Sequence, residues 1–237
     1  EMNNFSIVIP VYNEELNLKN LVDEILLHLK NYEGRFELIF VNDASTDDSY
    51  KVLNKLKGQF PKVIKLINNR INLGQSFTLI EGIKNSKFNT IVTLDADGQN
   101  NPIDIPLLLD KYFCDDKLYL VGGLRSKRKD NFIKIISSKI ANNIRMIVLK
   151  DGCVDTGCSL KVFDKEVFMN FPFFKGIHRF LPALFKGYGF YTYFISVDHR
   201  PRIYGVSKYG TIDRLFLGIK DLFKVVKIIK EFKKIRD

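Results

Sequence analysis

Short apolar runs alternate with helical patterns in the first half of the chain, and this alternation restricts the fold more than any other feature. The runs are FSIVIP, FELIFVND, KVIKLIN and NTIVTLDAD. The first segment between them places apolar residues three or four positions apart, at Leu18, Leu21, Val22, Ile25, Leu26 and Leu29. Strands separated by amphipathic helices are typical of a mainly parallel sheet with both faces covered.

Polar residues stand where the predicted strands end. They are Asn13 and Glu14 after the first strand, Asn42 and Asp43 after the second, and Asp95 and Asp97 after the fourth. Open α/β sheets bind ligands at the carboxyl ends of their strands, so these side chains should meet in one crevice. The sequence therefore predicts a functional site at this edge.

Two carboxylates in the segment TLDADGQNNP indicate a divalent cation. Asp95 and Asp97 would point to the same face if the fourth strand continues through both of them. Hard oxygen ligands suit Mg²⁺ or Mn²⁺, and Gln99 offers a further oxygen nearby. Asp43 has two interpretations, since it could serve the same site or cap the helix that follows it. Tyr12 and Glu14, in the segment PVYNEE, could hold a base and a ribose.

The second half is less regular. It predicts a strand at LYLVGG, a basic loop RSKRKDN, a helix near 132–149, a strand within VDTGCSLKVF, a helix after Gly176, a strand near 190–198 and a long C-terminal helix. Repeats and Pro/Ser-rich linkers are absent from the sequence, so we expect residues 1–237 to form a single unit.

Composition narrows the class of partner. The formal net charge of +10 favours an anionic partner, and the 46% hydrophobic content excludes a disordered chain. A nucleic-acid-binding domain is a remote alternative, because the crevice is acidic and recognition motifs for nucleic acid are missing. The three cysteines are expected to be reduced thiols, and no apolar stretch reaches the ~18 residues that a membrane span needs.

Several spaced motifs resemble family 2 glycosyltransferases of the GT-A fold. They are IVIPVYNEE, VNDASTD, NRINLGQ, LDADGQNNP, GGLRSKRKDN, DTGCSLKVF, HRFLPAL and HRPRIYGVSKYG. The chain is most similar to the dolichyl-phosphate mannosyltransferase-like branch, which includes bacterial polyprenyl-phosphate glycosyltransferases. This implies an α/β, Rossmann-like, mainly parallel mixed sheet flanked by helices, with a C-terminal amphipathic helix. Residues 1–117 would be the nucleotide-binding half, 118–210 the acceptor half and 211–237 the helix.

The resemblance also implies roles for individual residues. The residues implied to bind the nucleotide sugar are Pro10, Tyr12, Glu14, Val41, Asp43, Asp95, Ala96, Asp97, Arg125, Arg202 and Lys208. Asp97 and Gln99 would hold the metal, and Asp95, Asp97 and Arg125 would be catalytic. The acceptor phosphate would meet Arg125, Arg128 and Lys129, although the basic loop could equally be a solvated surface. The sequence departs from the commoner DADLQHP at Gly98 and Asn100, which leaves the expected ligands intact.

The implied reaction is inverting, metal-dependent transfer of a sugar from a UDP- or GDP-sugar to a polyprenyl phosphate. An anionic acceptor needs little or no general base. The alternative acceptor is a saccharide hydroxyl, which would require a carboxylate, and Asp155 is the candidate in the late segment. Lysines flank the apolar stripe of the C-terminal helix, which could lie on an anionic membrane or pack against the core. The sequence leaves the oligomeric state open, with a homo-oligomer as one candidate. We expect the protein at the cytoplasmic face of a membrane, as a peripheral protein unless transmembrane segments follow the C-terminal helix.

Overall fold

A computed structural model describes residues 3–125, 145–202, 204 and 211–236. The strands are β1 (Phe5–Val11), β2 (Phe36–Asn42), β3 (Ile64–Asn68), β4 (Thr90–Thr93), β5 (Leu118–Arg125), β6 (Lys161–Asp164) and β7 (Tyr191–Val197). The helices are α1 (Leu18–Leu29), α2 (Ser49–Gln59), α3 (Gln75–Lys84), α4 (Asp104–Phe113), α5 (Lys165–Met169), α6 (Leu181–Gly187) and α7 (Thr211–Arg236). A 3₁₀ turn covers Ile177–Arg179, and residues 145–149 are helical.

The seven strands form one sheet in the order β3-β2-β1-β4-β6-β5-β7. The pairs β1–β2, β2–β3, β1–β4 and β5–β7 are parallel, whereas β6 is antiparallel to both β4 and β5. The predicted mixed, mainly parallel sheet is therefore confirmed. The carboxyl ends of β1, β2, β3 and β4 lie at one edge, which is where the polar residues were expected to converge.

Helices cover both faces of the sheet, and each face has its own apolar core. One core contains α1, α2 and α4, and the predicted stripe of α1 is buried in it apart from the partly buried Leu26. The other core contains α3, α5, α6 and the described part of α7. Strands buried on both sides explain why the runs of the first half are almost continuously apolar.

The C-terminal helix packs against the body through its apolar stripe. Leu222 and Val225 are buried, and the ring of Phe232 stacks on Tyr188 with centroids 3.7 Å apart. Gly187 ends α6 so close to Ile229 that a Cβ added to the glycine would lie 2.6 Å from that side chain. Of the predicted stripe from Leu222 onward, Leu222 and Ile229 pack against the core, whereas Phe223 is 70% exposed. Exposed lysines occupy the outer face, at Lys220, Lys224, Lys227, Lys230, Lys233 and Lys234.

Within the described ranges, no helix is both long enough and apolar enough to cross a membrane. Most of the helix expected near 132–149, the basic loop with Arg128 and Lys129, and Lys208 lie outside those ranges. The division into a nucleotide-binding half and an acceptor half stays a prediction.

Candidate active site

The loops after β1 and β2 are joined by hydrogen bonds at the carboxyl edge of the sheet. Asn13 Oδ1 accepts from the backbone N–H of Thr46 (2.7 Å), and the N–H of Asn13 donates to Ser45 Oγ (3.0 Å). Asn13 and Ala44 both have φ of 55°, a left-handed conformation that asparagine tolerates better than alanine. The cross-linked loops form one wall of the crevice.

Four residues of the expected nucleoside site line this wall or support it. Pro10 and Tyr12 are half-buried, and Val41 is fully buried within β2. Glu14 is also buried, and its carboxylate accepts a 2.8 Å hydrogen bond from Asn17 Nδ2 at the start of α1. The structure therefore brings these four residues to the expected edge.

Asp43 organises the loop between β3 and α3. Its carboxylate is 3% exposed and accepts hydrogen bonds from the N–H groups of Leu73 (2.9 Å) and Gly74 (2.8 Å). Asn69 Nδ2 donates to the same carboxylate at 3.0 Å. The helix-cap interpretation of Asp43 is wrong, because α2 begins six residues later with Asp48 at its N-cap position. Asp43 instead fixes the backbone of residues 73 and 74, immediately before α3.

Asp95 and Asp97 lie beyond the end of β4 rather than within the strand. The condition that β4 continue through Asp97 is not met, because the strand ends at Thr93 and the turn begins at Ala96. Asp95 accepts from Gln75 Nε2 at 2.9 Å, and its N–H donates to Ser159 Oγ at 3.2 Å. The turn still brings both carboxylates to the crevice.

Crowding of the two carboxylates has an electrostatic consequence. Burial and then the neighbouring charge of Asp97 raise the pKa of Asp95 to about 6, against opposing effects of Ser159, Lys161 and Arg202. Lys161 is the buried first residue of β6, and its distance of 66 positions from Asp95 in the sequence gave no indication of this role. The site therefore holds like charges that a bound cation would relieve.

The donor set at this edge fits a divalent cation with few protein ligands. Carboxylate oxygens of Asp97 and Asp95 and the half-buried Gln99 are hard donors of the kind that Mg²⁺ and Mn²⁺ take. Among the described residues, no group of three or more His, Cys, Asp and Glu side chains could enclose a metal by itself. Mg²⁺ typically completes its shell with water and substrate phosphate, so one or two protein carboxylates suffice.

Arg202 reaches the same carboxylate from the other half of the chain. Its Nη2 donates to Asp97 Oδ2 at 2.5 Å, across 105 positions of sequence. The segment 198–202 is fixed to the loop after β4, since the N–H of Arg200 donates to Gln99 O (2.8 Å) and His199 forms a bridge with Asn100. Arg200 also contacts Glu24 of α1 at 2.9 Å. These contacts position Arg202 beside the acidic pair.

The two departures from the commoner motif have structural reasons. Gly98 adopts φ of 73°, which places it in the left-handed region that glycine populates without strain. Asn100 is buried, and its Oδ1 accepts a 2.5 Å hydrogen bond from Ser159 Oγ, which also contacts the N–H of Asp95. Asn100 and Ser159 thus support the turn that carries the acidic pair.

Arg125 is held in an ion pair. Its Nε and Nη2 each donate to Asp155 at 2.6 Å, and the two side chains are only 12% and 10% exposed. A Cβ added at Gly157 would lie 2.5 Å from Arg125 Nη2, so the guanidinium needs a glycine there. Asp155, the candidate base for a hydroxyl acceptor, is therefore engaged by a cation.

Sequence reasoning missed several residues that the fold brings to the site. Gln75, Ser159 and Lys161 contact or influence Asp95, and Asn69 contacts Asp43. All four lie in motifs that carry the family resemblance, Asn69 and Gln75 at the two ends of NRINLGQ and Ser159 and Lys161 within DTGCSLKVF. Their partners lie 20 or more positions away in the sequence, so spacing could not indicate the contacts.

Solved structures share the fold. Glucosyl-3-phosphoglycerate synthase from Mycobacterium tuberculosis, in complex with UDP, superposes with a TM-score of 0.73 at 18% identity, covering 95% of this chain and 80% of that chain. Mannosyl-3-phosphoglycerate synthase from Rubrobacter xylanophilus superposes with a TM-score of 0.71 at 14% identity, covering 93% and 72%. The Mycobacterium tuberculosis enzyme was also crystallised with Mg²⁺ and UDP, and that structure has a TM-score of 0.70 at 16% identity, with 94% and 78% covered. The expected GT-A type fold is confirmed.

Two relatives found by sequence comparison have a higher sequence identity to this chain than the solved structures above. The chain is 32% identical over 223 residues to dodecaprenyl-phosphate galacturonate synthase of Rhizobium johnstonii, covering 93% of this chain and 66% of that protein. It is 33% identical over 211 residues to undecaprenyl-phosphate 4-deoxy-4-formamido-L-arabinose transferase of Proteus mirabilis, covering 89% and 64%. The chain thus spans slightly less than two thirds of the length of these relatives. A family profile described as Glycosyl transferase family 2 matches residues 6–171, and the chain belongs to that family.

Proposed function

We propose that this protein transfers one sugar, with inversion, from a UDP- or GDP-sugar to a polyprenyl phosphate in a reaction that needs Mg²⁺ or Mn²⁺. The observation that carries the proposal is the meeting of Asp95, Asp97 and Arg202 at the carboxyl edge of the sheet. Two acidic groups and a guanidinium are suited to a cation and a diphosphate together. The names of both curated relatives support a polyprenyl phosphate as the acceptor.

The donor would lie along the carboxyl edge. Its nucleoside would meet the wall formed by Pro10, Tyr12, Glu14, Val41 and Asp43, and its diphosphate would meet the turn at 95–97. The carboxylate of Asp43 acts as a hydrogen-bond acceptor, so it would accept a hydrogen bond from the N–H of a pyrimidine or purine ring. Its existing bonds to the 69–74 loop would fix the carboxylate for that task.

The cation would be held by Asp97 and Gln99, with Asp95 close by. When bound, it would supply a Lewis acid that stabilises the negative charge on the departing nucleotide. Arg202 would leave Asp97 and bind the same phosphates, and Lys208, six positions further on, would join it. A guanidinium placed where charge develops favours the transition state over the ground state.

The acceptor phosphate would approach from the side of β5. Arg125 stands at the end of that strand, and Arg128 and Lys129 follow it in the sequence. A phosphate oxygen is already anionic, so it would attack without a protein base. Asp155 would then serve to orient Arg125, which accounts for the bidentate pair between them better than a role as a base for a hydroxyl acceptor.

Membrane association and location belong to the same proposal. A polyprenyl phosphate resides in a bilayer, so the protein would work at a membrane surface with anionic lipids, and we place that surface on the cytoplasmic face. Nucleic acid is not a proposed partner. Assembly into a homo-oligomer is compatible with this arrangement.

The test is transfer of label from a panel of UDP- and GDP-sugars into organic-extractable undecaprenyl phosphate. We expect one donor to give labelled lipid with Mg²⁺ or Mn²⁺, and we expect chelator or Asp97→Asn to abolish it. The matched control is Asp23→Asn, which changes an exposed carboxylate of α1 outside the proposed ligand set. Label that enters a soluble saccharide instead would refute the acceptor, and full activity of the Asp97→Asn variant would refute the metal ligand.

A further inference from the structure

An exposed aromatic patch lies between α3 and the segment that follows α5. Leu73, Phe77, Met169 and Phe173 form it, and each is 40–43% exposed. The rings of Phe77 and Phe173 contact each other with centroids 4.4 Å apart, and the patch borders a groove of about 320 Å³. Contiguous apolar surface of this kind marks an interaction site more often than a free surface.

The patch is attached to the rim of the candidate active site on both sides. Leu73 donates its N–H to Asp43 at 2.9 Å, and Gly74 does so at 2.8 Å. The segment after α5 returns to the same place, where the N–H of Gly176 donates to Ser76 Oγ at 2.8 Å and His178 Nδ1 lies 2.9 Å from that hydroxyl. A partner on the patch would therefore lie beside the carboxyl edge.

Exposed basic residues flank the patch. Arg70 and Lys175 stand next to it in the two segments, and Lys84 lines the groove together with Glu81. Lys224 of α7 lies over the ring of Phe174, 5.4 Å from its centroid. Exposed aromatic and aliphatic side chains bordered by Lys and Arg are what an interface with anionic lipid requires.

We propose that the aromatic patch docks the protein on the surface of an anionic bilayer, with the carboxyl edge of the sheet beside the headgroups. This inference rests on the proposed function, because a lipid-linked acceptor presents its phosphate at that surface. On the C-terminal helix, Leu222 and Val225 are buried in the core, and the exposed side chains of Phe223 and Ile235 stand twelve positions, or about 18 Å, apart along the helix axis, too far to form one patch. The outward lysines of this helix would add electrostatic attraction.

The absence of tryptophan from the whole sequence allows a direct test. Phe173→Trp places a single reporter in the patch, and Tyr191→Trp places one on β7, the opposite edge strand, where the tyrosine is 67% exposed. With vesicles of phosphatidylcholine and phosphatidylglycerol, we expect a blue shift and quenching by brominated lipid for Phe173→Trp alone. Vesicle binding without a shift at position 173 would overturn the proposal, as would equal shifts at both positions or no binding of the wild type.

Two sets of variants test the chemistry of docking. Arg70→Ala and Lys175→Ala should each weaken binding to anionic vesicles about fivefold, whereas Lys62→Ala, an exposed lysine before β3, should not change it. Phe77→Ser combined with Phe173→Ser should weaken binding further without loss of folding. Unchanged binding by these variants would contradict the proposal.

The competing occupant is a second copy of the chain. Light scattering on the wild type and the double serine variant distinguishes it, because a dimer that the variant dissociates would overturn the membrane assignment. The vesicles contain neither polyprenyl phosphate nor nucleotide sugar, so docking is measured without catalysis. Transfer to undecaprenyl phosphate in detergent reports the proposed function separately, and either result can fail while the other holds.

Discussion

Replacing Asp43 with asparagine should destabilise the fold as well as weaken nucleotide binding. The carboxylate is 3% exposed and accepts three hydrogen bonds, from Asn69, Leu73 and Gly74. A hydrogen bond to a charged acceptor contributes about 1.5–3 kcal/mol, and the asparagine keeps one acceptor oxygen while turning an amide NH₂ toward donors. We therefore expect the free energy of unfolding to fall by about 3 kcal/mol.

Urea unfolding followed by circular dichroism measures that change. Asp23→Asn is the control, because this carboxylate lies on the exposed face of α1 and pairs with Lys19 in an i, i+4 surface ion pair. Its loss should change stability by less than about 0.5 kcal/mol. If Asp43→Asn unfolds at the wild-type urea concentration but fails to bind nucleotide, the carboxylate serves the ligand and not the loop, and the reasoning is refuted.

Three further predictions concern packing and charge. Gly157→Ala should displace Arg125, because the added Cβ would lie 2.5 Å from Nη2, and the proposed transfer should drop sharply while circular dichroism stays unchanged. Gly187→Ala should lower the free energy of unfolding by about 1–3 kcal/mol in urea, since its Cβ would overlap Ile229. Burial and nearby positive charge lower the pKa of His178 to about 3 from its ordinary 6.5, so the unfolded chain binds the proton first. Stability should fall as pH drops from 6.5 toward 3, and this loss should be smaller in His178→Gln when urea unfolding is compared across that range.

The succession of the first four strands and their helices along the chain could be predicted because its signal is local. The strands β1, β2 and β4 are mostly buried and each helix carries one apolar stripe, so periodicity separates strand from helix. The crevice followed from the same pattern, since the carboxyl ends of parallel strands share an edge. Asp43, Asp95 and Asp97 all reach that edge, as expected.

Other features depend on contacts between distant residues, which a single sequence does not reveal. The Arg202–Asp97 ion pair joins positions 105 apart, and Gln75 meets Asp95 only because α3 packs against β1 and β2. β4 ends at Thr93, and the turn after it contains the left-handed Gly98 and is supported by Asn100 bound to Ser159, none of which the alternation of the strand indicates. For α7, an apolar stripe flanked by lysines is compatible with either a membrane or a core, and only the packing shows that Leu222 lies in the core while Phe223 stays exposed.

The most direct test of the central claim is an electron paramagnetic resonance titration of Mn²⁺ into the wild type and Asp97→Asn, each with and without UDP and GDP. We predict that one nucleotide strongly tightens Mn²⁺ binding to the wild type, and that Asp97→Asn abolishes this coupling. Mn²⁺ binding that is independent of both nucleotides, or identical in the two proteins, would contradict a metal-dependent nucleotide site at the carboxyl edge of the sheet.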